Sequence, residues 1–344
     1  MGRIVIIFAM LKVVFAGVTA GNNGTRGGHY KFGPAPDRIS RGGTSPAEDG
    51  HPVHGITCKS TALQGKIFQA GKCVGNAESA APVNIACGVL FNANGTEAWS
   101  WVPTPGHKTD AIHANTDEYM TAVAEAPDGS YLLAFGHVNK HRTIYKINPA
   151  DGSVIFEYRW TDYSNSAFEF GFFGTDGNVY AVGFKNAEEG TWFFKSSGTV
   201  DAGQALWQKI TAAEIAANSL PAASVQVFED WMAFRHFAKA AQGFVAVGQM
   251  SKNAQGIMKL REDGTKEWST SCSACGHQFT GVSVGQGGTT FYVSGHGRGD
   301  GSETDRSSSA SVSCGLDGKV SHFNSQGVHQ WTKRYPTPAP SVTK

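Results

Sequence analysis

Residues 119–160 read YMTAVAEAPDGSYLLAFGHVNKHRTIYKINPADGSVIFEYRW, and this stretch decides the fold. Tyr119 to Ala126 is a first strand, and Pro127-Asp128-Gly129 is its turn. Tyr131 to Phe135 is a second strand and Thr143 to Ile147 a third. Asn148 to Gly152 turns the chain into a fourth, Val154 to Trp160. Asp-Gly supplies the positive φ that tight hairpins need, and Tyr, Ile, Val and Phe suit a pleated surface. The unit is a four-stranded antiparallel sheet.

The pattern recurs along the chain. Apolar segments end in glycine at Gly71, Gly136, Gly183, Gly248 and Gly295. Each follows a turn glycine: Gly65, Gly129, Gly177, Gly243 and Gly288. Downstream comes a second turn glycine with an aromatic four residues later: Gly95/Trp99, Gly152/Phe156, Gly203/Trp207, Gly264/Trp268 and Gly327/Trp331. Five such sheets, repeated in constant order, predict an all-β fold, a β-propeller of five four-stranded blades. Large rings bury the most area, so Trp99, Trp207, Trp268 and Trp331 are expected to be mostly buried wedges between blades. The first copy starts near Ile56 and the last ends at Tyr335, so each blade is contiguous chain. Strand exchange between the termini has nothing to work with, and another closure is expected.

Cysteines suggest that closure. Cys58, Cys73 and Cys87 lie in the first copy, and Cys272, Cys275 and Cys314 around the last. Three is odd, so if all six pair, at least one bridge joins the two ends. Closing so long a loop contributes roughly 4–5 kcal/mol in the chain-entropy picture. A disulfide-closed ring is the expectation, with Cys73 and Cys87 as a local pair. The competing use of Cys272-Ser-Ala-Cys275-Gly-His277, with Cys314, is a tetrahedral zinc site. A secreted chain favours disulfides over metal.

That compartment is read from the first residues. Residues 1–20 read MGRIVIIFAMLKVVFAGVTA, with Arg3 ahead of an apolar stretch broken only by Lys12 and small residues at the end. This is a secretory signal peptide. Residues 21–52 are a Gly-rich flexible segment, 53–335 the propeller, and 336–344 a Pro/Thr-rich tail. The 344 residues carry 29 Lys+Arg against 28 Asp+Glu, a net charge of +1. Such a balance offers no field to hold nucleic acid. No apolar run after the signal is long enough to span a bilayer.

Chemistry-bearing motifs are few. Gly281-Val-Ser283-Val-Gly285 matches a nucleophile elbow in letters, but it lies in a strand running into another strand. Arg298-Gly299-Asp300 is the tripeptide read by adhesion receptors, in the long loop after Gly295. Asp300, Ser302, Glu303 and Asp305 in that loop are a calcium candidate, though their spacing is not that of an EF-hand. Asn23 and Asn94 are glycosylation acceptors. Thr211 to Leu220 is expected to be one short helix between the third and fourth copies.

The units APDGSYLLAFG with YKINPADGSVIF, and GFVAVG with MKLREDGTKEW, resemble two propeller repeat families. One is the PQQ-like (quinoprotein-type) repeat and the other the delta-60 repeat. The resemblance spans the repeats as short motifs and implies architecture. Quinoprotein dehydrogenases would imply PQQ and calcium, but the adjacent Cys-Cys pair of those enzymes is absent here.

Together these features predict a secreted, non-catalytic propeller that acts as an extracellular binding module, with a protein or glycan as partner. The loops Val102 to Glu118 and Ile210 to Met232 would carry recognition, with Trp160, Trp231, His107 and His113 in or beside them. The alternatives are a self-assembling structural subunit of a filament or matrix, and a quinoprotein-like enzyme. Neither a catalytic residue nor a cofactor other than calcium is expected.

Overall fold

The computed structural model describes residues 51–75, 83–101, 118–163, 165–185, 203–221, 225–251, 254–272, 275, 278–298 and 316–335. The expected signal peptide, the Pro/Thr tail, Asn23, His107, His113, His277, Cys314 and the calcium candidates Asp300, Glu303 and Asp305 lie outside them.

The chain forms five four-stranded antiparallel sheets. The first contains β1 (His51–Thr57), β2 (Ile67–Gly75), β3 (Val83–Phe91) and β4 (Glu97–Trp101). The second contains β5 (Tyr119–Glu125), β6 (Leu132–Val138), β7 (His141–Ile147) and β8 (Val154–Arg159). The third contains β9 (Ala167–Phe173), β10 (Val179–Lys185), β11 (Gln204–Ile210) and β12 (Val225–Phe228), with helix α1 (Ala212–Ala216) between its last two strands. The fourth contains β13 (Ala233–Lys239), β14 (Phe244–Ser251), β15 (Ala254–Leu260) and β16 (Lys266–Ser271). The fifth contains β17 (Gln278–Val284), β18 (Phe291–Arg298), β19 (Leu316–Phe323) and β20 (His329–Tyr335). Strands are hydrogen-bonded in chain order within every sheet, which is the blade pattern of a β-propeller.

The turn glycines are where local chemistry puts them. Gly65, Gly129, Gly177, Gly243 and Gly288 all have φ between 68° and 79°. Gly95, Gly152, Gly264 and Gly327, with φ between 75° and 85°, serve the later hairpin. This left-handed region is open to glycine without steric cost.

Core clusters lie between successive blades. Phe68, Leu90 and Trp101 meet Met120, Leu132 and Tyr145 between blades one and two. Phe135 and Tyr158 meet Phe168 and Ile210 between blades two and three. Tyr180 and Trp207 meet Phe234 and Phe244 between blades three and four. Val247 and Ile257 meet Phe279 and Phe291 between blades four and five. A middle blade buries both faces, so β6 is buried along its whole length rather than alternating.

Four details depart from expectation. First, β1 begins at His51 rather than near Ile56. Residues 58–66 form its turn, closed by the Cys58 N–H bonding the Lys66 carbonyl at 2.8 Å. Second, Trp207 sits on the third strand of its blade, not the fourth. The fourth strand, β12, lies within the stretch read as a recognition loop, and α1 falls inside the blade. That helix starts on a capping box between Thr211 and Glu214. It docks on blade two, where the Ile215 carbonyl accepts from Lys146 Nζ (2.9 Å) and the Tyr158 hydroxyl (3.0 Å).

Third, the bridge with both cysteines among the described residues is a local one. Cys272 pairs with Cys275, three residues away. Cys58 is a free buried thiol, and burial pushes it up to about 12. Cys87 is disulfide-bonded. With Cys58 unpaired the six cysteines do not all pair, and the parity that required an end-to-end bridge lapses.

Fourth, the tryptophan wedges are unequal. Trp207 is 3% exposed and Trp331 is 37% exposed. Trp99 and Trp268 are half-buried, seated against Gly152 and Gly327 of the following blade. First strands pack in sequence, β1 on β5, β5 on β9, β9 on β13 and β13 on β17, but β17 and β1 do not pack together in this way. Trp331, on the last blade, has no following glycine to cover it. Trp207→Ala is therefore expected to destabilise by about 3–5 kcal/mol, the range for truncating a buried aromatic. Trp331→Ala should change stability by less than about 1 kcal/mol. Urea unfolding of the two variants checks this; equal losses would show that blade five is covered in solution.

Candidate functional site

The strand-ending glycines of the repeat have a structural cause. Each faces the point where its blade's first strand bulges. Pro52 pairs with Gly71, Met120 with Gly136, Phe168 with Gly183, Phe234 with Gly248 and Phe279 with Gly295. The next residue of the first strand is then skipped by the ladder: Val53, Thr121, Glu169, Arg235 and Thr280. A bulge kinks the strand and re-aims side chains. A Cβ on Gly136 or Gly183 would overlap the carbonyl oxygen of Tyr119 or Ala167, so only glycine admits the kink.

Skipped residues bridge neighbouring blades. The Thr121 hydroxyl donates to the Phe168 carbonyl of the next blade at 2.7 Å. Arg235 Nη1 donates to Glu169 Oε1 at 3.0 Å, joining blades four and three. Glu169 is buried, and its second oxygen, Oε2, has no hydrogen-bond partner. Burial drives its carboxyl up to about 7, against the opposing pull of Arg235.

The residues just after the bulges add two imidazoles. His54 Nδ1 accepts the Val123 N–H at 3.1 Å, and His236 Nδ1 accepts the Val282 N–H at 3.3 Å. Each acceptor bond requires an unprotonated Nδ1, which leaves the proton of the neutral ring on Nε2. The ring of Phe170 lies between them, 5.4 Å from His54 and 3.8 Å from His236 by centroids. Burial lowers both histidines, His236 to about 4 with the nearby His54 ring adding to the effect. Blades three and four thus bring together a carboxyl that burial raises to about 7 and a guanidinium, while blades one and four set two neutral rings against Phe170, the residue after Glu169. This set can take an anion at Arg235, exchange a proton at Glu169 and donate hydrogen bonds from neutral imidazoles.

None of these residues was singled out by sequence. The signal was a charged or imidazole side chain inside an apolar first strand, F-E-F at 168–170 and F-R-H-F at 234–237, at the bulge or one step after it. The residues that were singled out fare differently. Trp160 is buried against Phe168 (5.5 Å) beneath the Arg142 guanidinium, and Trp231 is fully buried against Phe234 (5.2 Å). Both are core, and neither forms a recognition face. Asn94 is exposed, and its side chain accepts from the Thr96 N–H and hydroxyl in a hairpin turn. Arg298 ends β18 opposite Leu316. A shallow groove of about 680 Å³ runs past Gly243, Arg261, Glu262 and Glu267 in blade four. Glu262 there is already engaged by Lys239 and the Gly243 N–H.

No protein-family model matches the chain, and no curated protein does either. Kinship with the PQQ-like or delta-60 repeats therefore stands as a likeness of architecture. Among solved structures, the β-propeller domain of Cps50 (Swd1) from Myceliophteria thermophila is 9% identical. The match covers 84% of this chain and 72% of that one, with a TM-score of 0.40. The periplasmic gluconolactonase PpgL of Pseudomonas aeruginosa is 11% identical over 85% of this chain and 89% of its own, with a TM-score of 0.45. A mutant of the Synechocystis apocarotenoid oxygenase is 10% identical over 83% and 63%, with a TM-score of 0.46. The expectation of a non-catalytic extracellular binding module is corrected at this point. Two of these three similar structures are enzymes by name. No feature of the described residues points to secretion or to an extracellular ligand.

Proposed function

We propose that this protein works at the bulged first strands of its blades, binding a small anionic molecule beside Arg235 and exchanging a proton with it through Glu169. One observation carries the reading: a buried carboxyl with an unpartnered oxygen, raised by burial to about 7, sits 3.0 Å from a guanidinium. Residues tuned this way concentrate where general acid–base chemistry is done. A second reading also has an observation behind it. Thr121 bridges blades two and three from the equivalent position, so Glu169 and Arg235 could serve only to join blades.

Proton linkage separates the two. An anion bound beside Glu169 raises its affinity for a proton. Calorimetric titration with mono- and dicarboxylates such as acetate and succinate, at pH 7.5 in two buffers of different ionisation enthalpy, should show proton uptake on binding. Glu169→Gln should bind without uptake. No binding heat from any carboxylate, or uptake that survives in Glu169→Gln, would leave the pair as a structural clasp.

A further inference from the structure

A second cluster lies between blades four and five. Cys272 and Cys275 occupy the connection from β16 to β17, and His329 opens β20. The two sulfurs and a ring nitrogen of His329 all lie within 4.8 Å of one another. Both cysteines are buried among Val245, Val247, Ile257 and Phe279. His329 is held from behind: its Nε2 lies 2.8 Å from Thr332 Oγ1, which lies 2.6 Å from Ser321 Oγ. In this structure the two sulfurs are joined.

We propose that in the dithiol form Cys272, Cys275 and His329 hold a zinc ion, so that the disulfide and the metal are alternative states of one site. The C-x-x-C spacing lets two thiolates of one turn grip a single ion. Thiolate with imidazole is the donor set of a borderline-soft tetrahedral cation, with solvent as the fourth ligand. The Thr332–Ser321 hydroxyl pair plays the part of an outer shell that orients the ligating ring. A disulfide alone has no use for an imidazole held against it. Sequence spacing had pointed to His277, whereas the fold brings His329, fifty-four residues further along the chain from Cys275, to the sulfurs.

The switch between states balances with a low-molecular-weight disulfide, RSSR, as oxidant. One cysteine thiolate attacks a sulfur of RSSR and expels RS⁻. The second cysteine thiolate attacks that mixed disulfide and expels the other RS⁻. One S–S bond breaks and one forms, two electrons pass to RSSR, and two protons from solvent convert the released thiolates to RSH. Zinc leaves as Zn²⁺, its valence unchanged.

The full chain, reduced and freed of reductant under nitrogen, would be titrated with Co²⁺ and then Zn²⁺ while circular dichroism follows folding. Thiolate-to-cobalt charge transfer and tetrahedral ligand-field bands are expected, lost when Zn²⁺ displaces Co²⁺. His329→Ala should weaken Zn²⁺ binding roughly 10- to 100-fold. Cys272→Ser should abolish the charge-transfer band, and His277→Ala should bind as the parent does. The proposal is overturned if folded, reduced protein gives no such band, or if His329→Ala binds like the parent. Unfolding on reduction overturns it too, because the bridge is then a permanent staple.

Discussion

Gly183→Ala is expected to unfold the protein or to destabilise it by more than about 3 kcal/mol, as overpacking against rigid backbone does. The added Cβ would overlap the Ala167 carbonyl oxygen, and Phe168 Cα lies 2.9 Å away. Backbone cannot rotate aside as a side chain can. The strand would have to lose its bulge, which would slip Glu169 into the ladder and flip the side chains beyond it to the other face. Gly136→Ala should behave alike, because its Cβ would overlap the Tyr119 carbonyl oxygen. Gly287→Ala is the control: nothing lies within 4 Å of a Cβ there, and its cost is confined to the strained φ of 82°. Urea midpoints of the three variants test the claim. If Gly183→Ala lost no more than Gly287→Ala, the bulge would not be what the repeat glycine serves.

The second large effect is a pair of opposed pH dependences. His236 is lowered from 6.5 to about 4, so between these values the unfolded chain holds a proton that the folded chain lacks. Its contribution is complete above pH 6.5 and is lost as pH falls to 4, a difference of about 3 kcal/mol. His54 is lowered by burial and acts in the same direction. Glu169 is raised from 4.5 to about 7, so the folded chain keeps a proton that the unfolded chain has released. Its contribution is complete below pH 4.5 and is lost as pH rises through 7, again about 3 kcal/mol. The two slopes oppose each other between pH 4.5 and 6.5 and flatten the profile. Glu169→Gln should therefore match the parent near pH 4.5 and exceed it by up to about 3 kcal/mol at pH 8. Unfolding free energies from pH 4 to 8 check this. A difference that did not grow with pH would mean that Glu169 is ionised throughout.

The candidate site was harder to read than the blades. Glu169 and Arg235 are 66 residues apart, and His54 lies more than a hundred residues from Phe170. Each looked like one polar residue in an apolar strand. Trp160 and Trp231 drew notice because large aromatics beside a loop can form a recognition face, yet each fills a seam between blades. Gly203 and Trp207 fitted the repeat spacing. Yet β11, which carries Trp207, pairs directly with β10 as the third strand of its blade, and the fourth strand comes only after helix α1.

The sequence by itself determined the five sheets, their turns and most strand limits. Those depend on neighbours in the chain: Asp-Gly at a tight turn, β-formers on either side, a glycine where φ is positive. Tertiary structure alone decided which strands face each other across a seam, that Trp331 is left uncovered, that Cys58 stays a thiol, and that Glu169 meets Arg235 and His329 meets the cysteines. Those outcomes depend on how blades pack. Packing is set by bulge positions and shape complementarity summed over many side chains, and no local stretch of chain contains that sum.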